Sequence, residues 1–188
     1  MEFAFTEEQQ MIRDTAAAFL AEVSDSEAVR KAMATEQGYD PELWQRICGE
    51  MYWQAIHMPE SVGGMGLGYV EVVAMMEQMG RYLLCSPFFA TVCQAGNALL
   101  LAGDEAQQAQ WLGRICEGSL TATLAFNGGS RRWDAGAISA TYQRNGDHYV
   151  LNGDYRYVID GHTAGLLVVA AREQGTEGEK GISLFLVP

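Results

Sequence analysis

Apolar positions recur with a helical period through roughly the first two thirds of the chain. Thr6-Glu7-Glu8-Gln9 has the form of a capping box: the Thr6 hydroxyl can accept from the Gln9 amide while the Gln9 side chain reaches back. Ile12, Ala16, Phe19, Leu20 and Val23 then fall on one face of a helix. A shorter helix is predicted from Glu27 to Ala34, ended by Gly38. Asp40-Pro41-Glu42 restarts helix with an N-cap, a proline at the first position and an acidic first turn; that helix carries Leu43, Trp44 and Ile47 and ends near Gly49.

Met58 to Gly68 holds four glycines and one proline in eleven residues, which predicts an irregular loop. The helix predicted next, Tyr69 to Tyr82, has Val70, Val72, Val73, Ala74, Met75, Met76 and Met79 around most of its circumference, so burial on more than one side is expected. Ser86-Pro87 introduces another nearly all-apolar helix, Phe88 to Ala102, closed by Gly103; Asp104 to Gln107 starts one more, with Trp111, Leu112 and Ile115 inward. These features predict a multi-helix bundle.

The pattern changes at Gly118-Ser119. Leu120–Phe126, Ile138–Tyr142, His148–Asn152, Arg156–Ile159, Leu166–Ala171 and Ile182–Val187 read as strands, separated by turns such as Asn145-Gly146-Asp147. Short strands at close spacing predict an antiparallel sheet or open barrel. The expected fold class is therefore α+β, with an N-terminal helical bundle domain over 1–118 and an antiparallel β domain over 119–188. An apolar strand that ends at Pro188 without a cap predicts further chain beyond it.

Composition narrows the function. Hydrophobic residues are 48% and charged residues 19% of the 188, a globular balance. The formal net charge of -12, with no basic block beyond Arg30-Lys31 and Arg131-Arg132, argues against nucleic acid and against an anionic membrane. Met1 to Gln10 lacks the basic start of a secretory signal. Cys48, Cys85, Cys93 and Cys116 form no C-x-x-C pair and read as reduced, buried thiols, so the expected location is cytoplasmic. His57, His148 and His162 are not at zinc-ligand spacing. The glycines at 63, 64, 66 and 68 lack the lysine and strand of a phosphate loop, and read as structural.

Several segments, in order, resemble the acyl-CoA dehydrogenase family, flavoproteins that oxidise the Cα–Cβ bond of acyl-CoA thioesters. Phe3 to Gln9 is similar to the family's opening helix. Pro59 to Gly68, followed by Glu71 and Glu77-Gln78-Met79-Gly80, looks like its signature loop and helix. Leu112 to Gly118, Leu151-Asn152-Gly153, Ala170-Ala171-Arg172 and Gly181 to Pro188 resemble the entry to its middle β domain and that domain's later strands. The resemblance implies an N-terminal α domain, a middle β domain and a C-terminal four-helix domain; the last is absent from these residues.

The flavin segments of the family are altered here. Its Leu-Ala-x-Thr-Glu-Pro-like run reads Leu124-Ala125-Phe126-Asn127-Gly128-Gly129, followed by Arg132-Trp133-Asp134. Its Asn-Gly-x-Lys-x-Trp-Ile-Thr run reads Asn152-Gly153-Asp154-Tyr155-Arg156-Tyr157-Val158-Ile159, so isoleucine stands where the family has a hydroxyl donor to the flavin. The resemblance implies FAD as cofactor, with Phe126, Asn127, Tyr157 and Val158 as cofactor-binding candidates. A strand end can serve flavin edges with its backbone; the plain alternative reads Phe126 and Asn127 as an ordinary strand end and Tyr157 as core packing. Arg131 and Arg132 could meet a phosphate or simply face solvent. No residue matches the family's catalytic base. The implied partners are an acyl-CoA substrate, an electron-transfer-flavoprotein-like acceptor and further subunits in a homo- or hetero-oligomer. Two readings follow: an FAD-dependent acyl-CoA dehydrogenase seen without its base domain, which leaves this chain alone inactive, or a non-catalytic partner subunit of a heteromeric dehydrogenase.

Overall fold

The computed structural model describes residues 4–128 and 132–188. Helix α1 (Glu7–Val23) opens on the expected capping box, with Gln9 N donating to Thr6 Oγ1 at 3.2 Å and Thr6 N to Gln9 Oε1 at 3.0 Å. Asp25 caps α2 (Ser26–Met33) and Asp40 caps α3 (Pro41–Arg46), each accepting from two first-turn amides. A wider π-type turn, Ile47–Met51, extends α3 and ends at Tyr52, whose φ of 56° lies in the left-handed region.

The glycine-rich loop is structural, as expected. Its amides at Met65, Gly66 and Leu67 donate back to the carbonyls of Ala55, Met58 and Ile56 at 2.9–3.0 Å. Helix α4 (Tyr69–Arg81) follows and packs on α1. It buries Val72, Ala74, Met75 and Met79, while Val70 and Val73 are exposed at 47% and 60%. The expectation of burial on more than one side is corrected: only the face toward α1 and the core is covered among the described residues. The Phe88–Ala102 stretch forms a π-helical segment, Phe89–Gly96, that runs into α5 (Asn97–Ala102), and α6 (Glu105–Cys116) closes the helical part.

Among the described residues five strands make one sheet: β1 (Ala122–Ala125), β2 (Thr141–Asn145), β3 (His148–Asn152), β4 (Leu166–Glu173) and β5 (Ile182–Val187). Strand β4 is central. It pairs parallel with β1 and, at its far end, with β2, and antiparallel with β5 along its other edge. The β2–β3 hairpin is antiparallel. The sheet is thus mixed and not wholly antiparallel. The chain leaves the C-terminal end of β1, folds out as the hairpin and runs back alongside β1 through residues 156–163, so β4 starts beside the start of β1.

The predicted strand Arg156–Ile159 is absent. Tyr157 and Asp160 have φ of 58° and 53°, and a left-handed residue cannot continue an extended ladder. The predicted strand Ile138–Tyr142 starts late, at Thr141, because a short helical turn occupies Ala135–Ala137. Helices and sheet share one core, in which Leu99, Leu112 and Ile115 meet Leu120, Ala122, Leu166 and Val168. The buried Thr91 hydroxyl accepts from Ala122 N at 3.0 Å and fixes the start of β1 on the π-helical segment. No helix among the described residues is long and apolar enough to cross a membrane.

Candidate flavin site

The two segments singled out in the sequence meet at the C-terminal end of β1. Arg156 N donates to Asn127 O at 2.9 Å, which sets the residues before Tyr157 beside those after Ala125. One turn further on, the Thr123 hydroxyl donates to Ile159 O at 2.6 Å and the Thr121 hydroxyl to Thr163 O at 3.0 Å. Thr123 of β1 and Thr121 just before it thereby hold the irregular segment 156–163 along the strand. From the other side the Tyr155 hydroxyl donates to Ala170 O of β4 at 2.8 Å; burial pushes this phenol up to about 12, so it stays a donor across the neutral range. Asp160 O accepts from Thr163 N and Ala164 N, which supports the left-handed turn. Left-handed backbone at a non-glycine residue costs on the order of 1–2 kcal/mol, and strain of this kind concentrates at functional sites.

Asn127 is the unusual member of this group. It is 4% exposed, and neither its Nδ2 nor its Oδ1 has a hydrogen-bond partner among the described residues. An unmet buried amide costs roughly 1–3 kcal/mol, a cost that a water or a ligand with a donor and an acceptor would relieve. Phe126 is half-buried beside it. Tyr157 is 76% exposed and not packed in the core, so its ring is open to a ligand. Val158 is half-buried, and its carbonyl accepts from Gly161 N at 3.2 Å. Ile159 is 42% exposed and supplies only its carbonyl, to Thr123.

Gly128 is buried, and a Cβ there would lie 2.5 Å from Ser139 Oγ and 3.5 Å from Ala137 O, so the Ser139 hydroxyl would have to turn away to admit one. Arg132 forms a two-pronged ion pair with Asp134 at 2.8 and 2.9 Å, so its charge is engaged within its own loop. The readings made for Gly129 and Arg131 lie outside the described residues. Sequence reasoning missed Thr121, Thr123 and Tyr155, whose roles come from contacts with residues 15 to 42 positions away. It noted Trp133 only as part of a motif; its indole meets the Phe126 ring edge-on at 5.8 Å.

Away from this site, Met76, Met79, Leu83, Leu84, Phe88 and Phe89 line an apolar groove of about 380 Å³. A second groove, about 510 Å³ and bordered by Val23, Ala32, Tyr39, Leu43 and Leu84, touches none of the candidate residues.

Residues 6–119 match the sequence profile described as "Acyl-CoA dehydrogenase, N-terminal domain". The chain belongs to the acyl-CoA dehydrogenase family. It is 32% identical over 161 residues to acyl-CoA dehydrogenase IpdE2 of Mycobacterium tuberculosis, which covers 86% of this chain and 44% of that relative. It is 29% identical over 188 residues to mitochondrial isovaleryl-CoA dehydrogenase of Pongo abelii, covering 97% of this chain and 44% of that protein. Among solved structures, the ChsE4-ChsE5 complex of Mycobacterium tuberculosis superposes with a TM-score of 0.85 at 27% identity, over 100% of this chain and 48% of that one. The chain thus spans about half the length of these acyl-CoA dehydrogenase relatives. The likeness extends past residue 119 through the sheet, which carries the fold class read from the sequence into an acyl-CoA dehydrogenase architecture.

Proposed function

We propose that this chain holds FAD at the C-terminal end of β1 and belongs to an FAD-dependent acyl-CoA dehydrogenase acting on acyl-CoA thioesters. The observation that carries this reading is Asn127, a buried carboxamide at a strand end whose donor and acceptor are unmet among the described residues. A flavin ring is flat and apolar with alternating donors and acceptors along its pyrimidine edge, and these residues suit it. Asn127 would bond that edge, backbone groups of Phe126 and Val158 would assist, and the Tyr157 ring would pack beside it. The bound flavin supplies hydride acceptance from Cβ. This chain's own residues hold and orient that ring; none is assigned as the base that takes the α proton, so this chain alone is expected to be inactive.

The division into a helical unit, 1–118, and a β unit, 119–188, is part of the same reading, supported by α6 ending at Cys116 and β1 starting at Ala122. Four free cysteines support a reducing, cytoplasmic setting. An electron-transfer-flavoprotein-like acceptor would take the electrons.

The second reading, a non-catalytic partner subunit in a heteromeric dehydrogenase, is favoured by Ile159, which offers no side-chain donor, and by the likeness to a chain of a two-protein complex. Titration with FAD separates the two. Saturable but weak uptake is expected, with a dissociation constant above about 1 μM, tightened about fivefold in Ile159→Thr, the gain from roughly 1 kcal/mol of restored hydrogen bonding. No uptake by either form would favour the partner-subunit reading.

A further inference from the structure

Trp44, Trp53 and Trp111 are 3%, 4% and 8% exposed, whereas Trp133 is 66% exposed. An indole is among the largest apolar groups a protein can cover, and leaving one in water forgoes that burial. Trp133 is not an isolated surface residue. Its ring meets Phe126 at 5.8 Å and 64°, a T-shaped contact, and Phe126 directly precedes Asn127. Next in sequence to this open aromatic pair comes a buried carboxamide whose two polar atoms have no partner among the described residues. On either side of the indole in sequence, Arg132 and Asp134 form an ion pair with one another. Apolar aromatic surface beside one unmet donor and one unmet acceptor suits a planar heteroaromatic ring with a polar edge.

We infer that Trp133, through its packing on Phe126, is a binding residue that covers one side of the flavin ring held at Asn127. The inference rests on the flavin reading above and adds a contact to it. Trp133 would shield that side of the ring from water, strengthening the hydrogen bonds made along its edge.

The test is FAD titration of the 188-residue chain and of its Trp133→Ala and Trp133→Phe forms, followed by the change in flavin absorbance. Melting of the three FAD-free proteins serves as the control. Removing the indole is expected to weaken binding about tenfold, equivalent to ~1.4 kcal/mol. Phenylalanine keeps a ring and should stay within about threefold of the parent. The FAD-free melting temperatures should differ by no more than about 5 °C, because only the contact with Phe126 is lost from a largely exposed side chain. The long-wavelength part of the tryptophan emission, which comes from the exposed indole, should be lost as FAD saturates the parent chain. If Trp133→Ala binds FAD as tightly as the parent, this inference is overturned while the flavin reading stands. A parent chain that takes up no FAD overturns both.

Discussion

Gln9 Nε2 donates to Glu71 Oε1 across 2.9 Å and so joins the first turns of α1 and α4. The other oxygen of Glu71 accepts from Gly68 N at 2.9 Å, where the N-cap residue has no side chain of its own to offer. The bond from Gln9, followed by backbone donors and opposed by slight burial, holds the Glu71 carboxyl below its usual value of 4.5. A carboxylate depressed in the folded state adds stability above the unfolded value, and that stability is lost as pH falls through the folded one. Glu71→Ala is expected to lower stability by about 1–2 kcal/mol near neutral pH, with the gap to the parent closing below ~pH 4. Urea unfolding at both pH values checks it; an equal gap at each would contradict the role of the charge.

His57 gives the opposite kind of group. Asn97 Nδ2 donates to Cys93 O at 2.9 Å, so Asn97 Oδ1 faces the ring and accepts from His57 Nε2 at 3.0 Å. Nδ1 is then left without a proton and without a partner among the described residues. Burial, partly offset by the bond to Asn97, pulls the imidazole below its usual 6.5. The unfolded chain takes up the proton first, so stability is whole above the unfolded value and falls as pH drops from there toward the folded one. We expect unfolding free energy to decline from ~pH 7 to ~pH 5, and this part of the decline to vanish in His57→Gln. Parallel pH-dependence in both proteins would show that another group titrates.

Arg172 is 7% exposed and has three carbonyl partners: Ile138 at 2.9 Å, Lys180 at 3.1 Å and Gly178 at 2.6 Å. It ties the β4–β5 turn to the chain entering β2. Arg172→Ala should cost about 2–4 kcal/mol, since charged hydrogen bonds are each worth roughly 1.5–3 kcal/mol and solvent can reach part of the turn. Arg172→Lys should recover little, because one ammonium cannot span the fork. Denaturation would give the magnitude, and limited proteolysis within 174–181 should quicken in both variants.

Two glycines should respond in opposite ways to alanine. A Cβ on Gly64 would fall 2.0 Å from Met58 O and 2.3 Å from Met58 C, both backbone atoms of the facing segment. Gly64→Ala should cost about 3 kcal/mol or more. Gly80 lies inside α4 with nothing within 4 Å of a built Cβ, so Gly80→Ala should stabilise by roughly 0.5–1 kcal/mol. Thermal unfolding of the pair decides the matter by sign alone.

Local signals were readable from the sequence because they act over a few residues. The Thr6–Gln9 box and the Asp40-Pro41 cap depend on spacing within one turn, and α1, α3, α4 and α6 begin where those signals put them. The change from helix to strand after Cys116 was readable for the same reason, since the apolar period itself changes there. The meeting of Phe126–Asn127 with Tyr157 was suggested only through the family likeness. What brings the segments together is Arg156 N on Asn127 O and the Thr123 hydroxyl on Ile159 O. No spacing rule reports such bonds, because each partner is chosen by the returning path of the chain. The parallel pairing of β1 with β4 has the same origin: strand periodicity specifies which face is buried and says nothing of neighbour or direction. Whether Asn127 is solvated or buried, and whether Trp133 lies in the core or beside Phe126, was decided by tertiary packing. Burial is a property of what surrounds a residue, and most of those surroundings are distant in sequence.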